Sequence, residues 1–226
     1  MEKHQGGALM VIEGIDNAGK TSTIELIVPT LSRLGFNVAV LREFSSHFSS
    51  STFTFVVQGT ETPGWLQAML RALEHLLSLT EVSQVLAAAN GIVLADRYLD
   101  TNIVYQSLKL ERQMDQADRA EARKRIADWI EMLYEWSPKP NHTFLLDVPV
   151  EVSLRRAANR SDLYVQKDSQ FLESARRMFL ERATKSPERY SIIDATQSQE
   201  RIASILVETM RLKMSHNKGR STDETP

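Results

Sequence analysis

The sequence predicts an α/β fold, a three-layer sandwich with a five-stranded, mostly parallel sheet and helices on both faces. Three observations carry this. Five short runs (9–15, 37–43, 91–96, 142–147 and 190–194) are almost continuously apolar rather than alternating, the pattern of strands buried on both sides. Segments with helical spacing separate them, which implies right-handed crossovers between parallel strands. A glycine-rich turn ending in Lys20-Thr21 follows the first run directly.

The elements follow in order. After the strand at 9–15, residues 21–34 place Ile24, Ile27, Leu31 and Leu34 at intervals of three and four, with Pro29 as a possible kink point. The strand at 37–43 precedes a long helical pattern over 65–89, and the strand at 91–96 comes next. Residues 119–136 set Ile126, Trp129, Ile130 and Leu133 on one face. Helical spacing returns at 150–159, 170–183 and 199–214, around the strands at 142–147 and 190–194. No internal repeat is evident. One domain over 1–213 accounts for the pattern, and the polar stretch 214–226 reads as a disordered tail.

Composition narrows the function. The 226 residues carry 27 Lys and Arg against 29 Asp and Glu, a net charge of -2, which speaks against a bulk nucleic-acid or anionic-membrane binder. No run approaches the ~18 apolar residues of a membrane span. The polar start of the chain has no signal-peptide core, and cysteine is absent, so the expected setting is cytoplasmic, with no disulfide or thiolate chemistry.

In such a fold ligands bind beyond the carboxyl ends of the strands, where this chain concentrates Glu13, Arg42, Asp96, Arg97, Asp147 and Asp194. Gly14-Ile15-Asp16-Asn17-Ala18-Gly19-Lys20-Thr21 matches G-x-x-x-x-G-K-[ST], between a strand and a helix. Backbone from Gly14, Asn17, Ala18 and Gly19 to Lys20, Thr21 and Ser22 is expected to cradle ATP phosphates at a helix N-terminus. Lys20 would hold the β- and γ-phosphates, and the Thr21 hydroxyl would bind Mg²⁺. Asp16 can face an acceptor from inside the loop. Asp96 is the preferred carboxylate for the Mg²⁺ shell, with Asp147 and Asp194 as competitors, because Arg97 beside it can grip a second anion.

These residues resemble the thymidylate kinase family of nucleoside-monophosphate kinases, from about Leu9 to Ile205. The segment 13–21 resembles E-G-x-D-G-A-G-K-T; Asp96-Arg97-Tyr98 with Thr101, Asn102, Tyr105 and Gln106 resembles D-R-Y-x-x-S-x-x-A-Y-Q. Leu146-Asp147-Val148-Pro149 with Arg155, Arg156 and Arg160 resembles the start of the lid, about 155–168, and Asp194-Ala195-Thr196-Gln197 the family's D-A-[ST]-Q. The resemblance implies ATP-dependent phosphorylation of dTMP to dTDP by a homodimer. Asp16 would bind the acceptor's 3′-hydroxyl, Arg97 and Arg42 its phosphate, Asn102 its base, and Tyr105 its sugar. Thr196 and Gln197 would lie along the adenine. The phosphate loop has Asn17 and no arginine, so Arg156 and Arg160 would supply charge to the transferring phosphoryl group.

The pattern also departs from the family. R-E-P-G-G-T is replaced by Arg42-Glu43-Phe44-Ser45-Ser46, opening a serine-rich stretch over 45–54 that reads as a flexible loop, and the lid's L-D-R-x-E by Leu163-Tyr164-Val165-Gln166-Lys167. Arg71 stands where the family has an aromatic stacking on thymine, and His75 where it has a base-bonding arginine. A planar guanidinium can stack and an imidazole can donate a hydrogen bond. Two alternatives therefore stand beside dTMP kinase: a same-fold kinase of another deoxynucleotide or deoxynucleoside, and a non-catalytic nucleotide-binding module.

Overall fold

The computed structural model describes residues 6–42, 63–112, 119–158 and 168–220. In chain order the elements are β1 (Ala8–Glu13), α1 (Lys20–Arg33), β2 (Asn37–Arg42), α2 (Gly64–Glu81), α3 (Ser83–Ala87), β3 (Gly91–Asp96), α4 (Leu99–Glu111), α5 (Arg119–Leu133), β4 (His142–Asp147), α6 (Val150–Ala158), α7 (Ser169–Lys185), β5 (Tyr190–Asp194) and α8 (Gln199–Arg220). The strands form one sheet in the order β2-β3-β1-β4-β5, and every pairing is parallel.

The apolar continuity of β1 has a direct cause. Ala8, Met10 and Ile12 pack into a core with residues of α1, α7 and α8, while Leu9 and Val11 enter a second core with residues of α2 and α5. Alternate side chains point to opposite faces, and both faces are covered by helices. The centre of the sheet therefore sits between two cores, and the loop after β1 emerges from the most deeply held strand.

Several elements differ from the sequence expectation. Helix α4 has no apolar stripe to announce it: Leu99 through Leu108 are all buried, with Asp100, Thr101, Asn102, Gln106 and Ser107 among them. A helix buried on every side and studded with polar groups shows no 3.6-residue alternation. The single helix expected over 65–89 is divided at Val82 into α2 and α3. Helix α1 runs through Pro29 without interruption. Helix α8 continues to Arg220, into the stretch expected to form a tail, and residues 221–226 lie outside the described residues. Among the described residues no helix is long and apolar enough to cross a membrane.

One ionic cluster anchors α4. Asp100, 1% exposed, accepts hydrogen bonds from Arg182 Nε at 2.7 Å and Arg189 Nη2 at 2.5 Å, while Arg182 Nη2 also reaches Glu131 at 3.0 Å. The first turn of α4 is thereby tied to α7, to the entry of β5 and to α5. Removing one member of a buried charge pair strands its partners, so Asp100→Ala is expected to cost about 3–5 kcal/mol. Denaturant unfolding checks this; a loss below about 1 kcal/mol would show that the cluster does not anchor the helix.

Candidate active site

The turn from β1 to α1 is shaped by residues that tolerate positive φ. Gly14 has φ 143° and Gly19 φ 100°, and a Cβ on Gly14 would come within 2.5 Å of the Leu146 carbonyl oxygen. Asn17 also lies in the left-handed region, at φ 55°. Gly19 then caps α1, whose first residue is Lys20. The result is a tight loop feeding a helix N-terminus, a geometry that favours phosphate.

Lys20 is 5% exposed, and its Nζ donates to the carbonyl oxygens of Gly14 at 3.0 Å and Ile15 at 2.8 Å. Burial, with a smaller contribution from the Arg97 charge, brings its pKa down to about 8, against the opposing pull of Asp96, Asp16 and Glu13. Thr21 Oγ1 donates to Asp96 Oδ2 at 2.7 Å. Of the three competing strand-end carboxylates, Asp96 meets the loop's hydroxyl. Asp147 is held by Arg176 through two bonds, at 2.6 and 2.8 Å, and Asp194 accepts from the backbone and hydroxyl of Thr196 at 2.9 and 2.6 Å. A hydroxyl and a carboxylate side by side form an all-oxygen donor pair of the kind a hard cation such as Mg²⁺ takes together with phosphate oxygens.

Three residues gather beside the loop: Asp16 from the β1–α1 turn, Arg97 from the β3–α4 turn and Tyr105 from α4. Arg97, itself at φ 73°, pairs with the Asp16 carboxylate and donates to Thr101 Oγ1 at 3.2 Å. The Tyr105 hydroxyl donates to Asp16 Oδ1 at 3.1 Å and accepts the Asp16 backbone N–H at 3.2 Å. The Arg97 guanidinium lies 5.4 Å from the centroid of the Tyr105 ring. Burial and the neighbouring Asp16 charge push the Tyr105 phenol well above its usual range, so it stays protonated. Asp16, Arg97 and Tyr105 therefore come together as the sequence reading expects.

Glu13 holds this side in place, a role not assigned from the sequence. Fully buried, it accepts from the backbone N–H groups of Tyr98 at 2.9 Å and Thr101 at 3.2 Å, and from Thr101 Oγ1 at 2.5 Å. These are first-turn donors of α4 with no partner inside the helix. Burial and, less strongly, the Asp100 charge raise the Glu13 pKa to about 7. Its place directly before Gly14 was visible in the sequence, but a helix cap supplied by a residue 85 positions away in the chain leaves no local signal.

The remaining expected residues divide. His75 is buried, with Nδ1 2.6 Å from the Tyr134 hydroxyl, and Asn102 donates to that same hydroxyl at 3.1 Å. Arg71 is half-buried on α2, and the half-exposed Arg42 ends β2 beside Asp96 in the sheet register, with Glu25 3.9 Å away. Ser22 is half-buried in the first turn of α1, while Thr196 and Gln197 are exposed in the turn after β5. Arg156 stands against the phosphate loop itself. Its guanidinium donates to the carbonyls of Asn17 and Ala18, both at 3.2 Å, and of Ala195 at 2.8 Å, clasping the phosphate loop to the β5–α8 turn. Arg160, most of the expected lid and the serine-rich stretch at 45–54 lie outside the described residues.

A parallel sheet with a phosphate loop after its central strand, and an Asp–Arg–Tyr cluster flanking that loop, defines a P-loop kinase. The thymidylate kinase family model matches residues 12–205, and the chain belongs to that family. It is similar to a probable thymidylate kinase of Methanosarcina barkeri, 26% identical over 212 residues covering 93% of this chain and 99% of the relative. It is 29% identical to a Pseudomonas putida thymidylate kinase over 205 residues (87% of this chain, 91% of the relative), and 30% identical to one of Pseudomonas entomophila over 201 residues (84% and 89%). The protein is a phosphotransferase.

Proposed function

We propose that the protein transfers the γ-phosphoryl group of ATP to dTMP, forming dTDP. The observation that carries this reading is the Arg97–Asp16–Tyr105 cluster, which sets an arginine fork and a sugar-binding carboxylate against the phosphate loop. An acceptor that already bears phosphate suits Arg97, because a guanidinium grips phosphate through two parallel bonds. Asp16 accepts a hydrogen bond from the deoxyribose 3′-hydroxyl. The Tyr105 ring closes the sugar side and disfavours a 2′-hydroxyl.

On the donor side, Lys20 exchanges the carbonyls of Gly14 and Ile15 for the β- and γ-phosphates. Thr21 and Asp96 would hold Mg²⁺, which when bound neutralises phosphate charge and orients the oxygens. The loop N–H groups bind the polyphosphate, and the clasp made by Arg156 holds the loop in shape beside the adenine turn at Thr196 and Gln197. Arg160 of the lid supplies the charge that the loop, with Asn17, lacks. Four large apolar side chains on α2, Trp65, Met69, Leu73 and Leu77, are 37–50% exposed at four-residue intervals, a stripe that suits a second copy of the chain in a homodimer. A cytoplasmic setting fits an ATP-using enzyme without cysteine.

A coupled assay with ATP, Mg²⁺ and a panel of nucleosides and monophosphates, read as ADP released, tests the reading. The expected result is fastest turnover with dTMP. Activity on another acceptor with none on dTMP would replace it with the alternative kinase, and ATP binding without turnover would leave a non-catalytic module.

A further inference from the structure

The phosphate loop is gripped from outside by a side chain that none of the sequence motifs contains. Ser153 on α6 is fully buried, and its Oγ donates to the Asp16 carbonyl at 2.8 Å. A serine inside a helix commonly returns its hydroxyl to a carbonyl one turn back. This one reaches a residue 137 positions away. One turn further along α6, Arg156 Nη1 donates to the carbonyls of Asn17 and Ala18, both at 3.2 Å. Residues three apart share a helix face, so α6 presents a hydroxyl and a guanidinium to three consecutive peptide groups.

Those three peptides give the loop its polarity. In a trans peptide the N–H points opposite to the C=O of the same plane, and no peptide bond among the described residues is cis. With the carbonyls of Asp16, Asn17 and Ala18 turned to α6, the N–H groups of Asn17, Ala18 and Gly19 turn away from it. The Ala18 N–H shows where they face. It donates to the Ile15 carbonyl at 3.3 Å, the oxygen that also accepts from Lys20 Nζ at 2.8 Å. The outer grip therefore directs successive N–H donors to the side of the loop where Lys20 lies, an anion-binding arrangement.

Asn17 is the reason the grip is needed. Its φ of 55° is left-handed, a conformation that strains a residue with a Cβ, and the family pattern carries glycine at this position. The planes on either side of its Cα are the Asp16–Asn17 and Asn17–Ala18 peptides. Ser153 holds the first and Arg156 the second, so both torsions of Asn17 are pinned from α6.

We propose that Ser153 is a positioning residue for the donor nucleotide: through the Asp16 carbonyl it keeps Asn17 left-handed, so that the loop's N–H groups converge on the polyphosphate. The inference rests on the reading of this loop as the ATP site, and adds what holds its shape where glycine is missing. The Asp16 carboxylate is restrained separately, by Arg97 and the Tyr105 hydroxyl, so the acceptor contacts are spared.

Ser153→Ala leaves a buried carbonyl without its donor and frees the first of the two planes. Titration calorimetry is expected to show about tenfold weaker binding of ATP, and of ADP, which carries the same β-phosphate. KM for dTMP should change less than about twofold. A hydroxyl that served stability alone would lower the unfolding midpoint and leave nucleotide affinity as it was, and that result overturns the proposal. A double-mutant cycle with Asn17→Gly tests the route. Glycine takes the left-handed conformation without steric cost, so Ser153→Ala should weaken ATP binding less than about threefold in that background. A loss of equal size in both backgrounds overturns the proposal. If Ser153→Ala does not fold, Ser153→Cys decides: a thiol is a weak donor, so ATP affinity should fall at least about threefold, and undiminished affinity overturns the proposal. A wild-type protein that binds ATP no better than Ser153→Ala overturns this inference alone, whereas one that binds no ATP overturns the functional reading with it.

Discussion

Lys20→Ala is expected to lower kcat/KM by on the order of 10²-fold or more. The Nζ is already desolvated and held by two carbonyl oxygens in the loop, 3.0 Å from Gly14 and 2.8 Å from Ile15, so its charge is prepaid in position before ATP arrives. Exchanging two neutral acceptors for phosphate oxygens strengthens every contact it makes, and most of that gain falls where charge spreads during transfer. Steady-state kinetics with varied ATP checks the claim, and near-wild-type rates would remove Lys20 from the mechanism. The same lysine predicts an alkaline limb. Burial brings its pKa to about 8, so kcat/KM for ATP should fall as pH rises through that value, and the limb should vanish in Lys20→Ala. Bound polyphosphate favours the ammonium, which moves the corresponding limb in kcat to higher pH. Folding stability responds in the opposite sense. Between about 8 and the ordinary 10.5 the unfolded chain binds more protons at this lysine, so its contribution to stability rises with pH across that window.

Arg97→Ala should be of similar size, a loss of on the order of 10²-fold or more in kcat/KM for dTMP with little change in KM for ATP. The Asp16 carboxylate, Thr101 Oγ1 at 3.2 Å, the Gly14 carbonyl at 3.4 Å and the face of Tyr105 all restrain this guanidinium. Its backbone sits at φ 73°, a conformation a non-glycine residue adopts only when its surroundings enforce it, and the Glu13 bonds to Tyr98 and Thr101 are part of that enforcement. Arg97→Lys keeps the charge but not the fork, and is expected to recover only part of the loss. Full recovery by lysine would mean that Arg97 acts as a point charge; an Ala variant of near-wild-type activity would show that the acceptor phosphate lies elsewhere.

Legibility in the sequence followed the range of the interaction. The five strands were readable within two residues at their ends, because burial on both faces leaves an uninterrupted apolar run. The phosphate loop was readable because Gly14, Gly19, Lys20 and Thr21 act through their own backbone and their immediate neighbours. Helix α4 was not, although it bears Asn102 and Tyr105: its burial on all sides erases the periodicity that marks a helix. The lid arginine Arg156 was placed by spacing on the correct helix, but spacing could not show that three carbonyls from two distant turns would claim its guanidinium.

By itself the sequence determined the layered α/β architecture and the phosphate loop with its lysine and threonine, and it singled out Asp16, Arg97 and Tyr105, which the fold brings together. Those are consequences of local spacing, of backbone freedom at glycine and of side-chain chemistry, all written in short stretches of chain. Only the tertiary structure decided which of Asp96, Asp147 and Asp194 meets Thr21, that Glu13 caps α4, and that Tyr134 joins His75 to Asn102. Each of these is a contact across at least 30 positions of chain, chosen by how helices pack on the sheet, and three carboxylates that look alike in sequence are told apart by the partner each one meets.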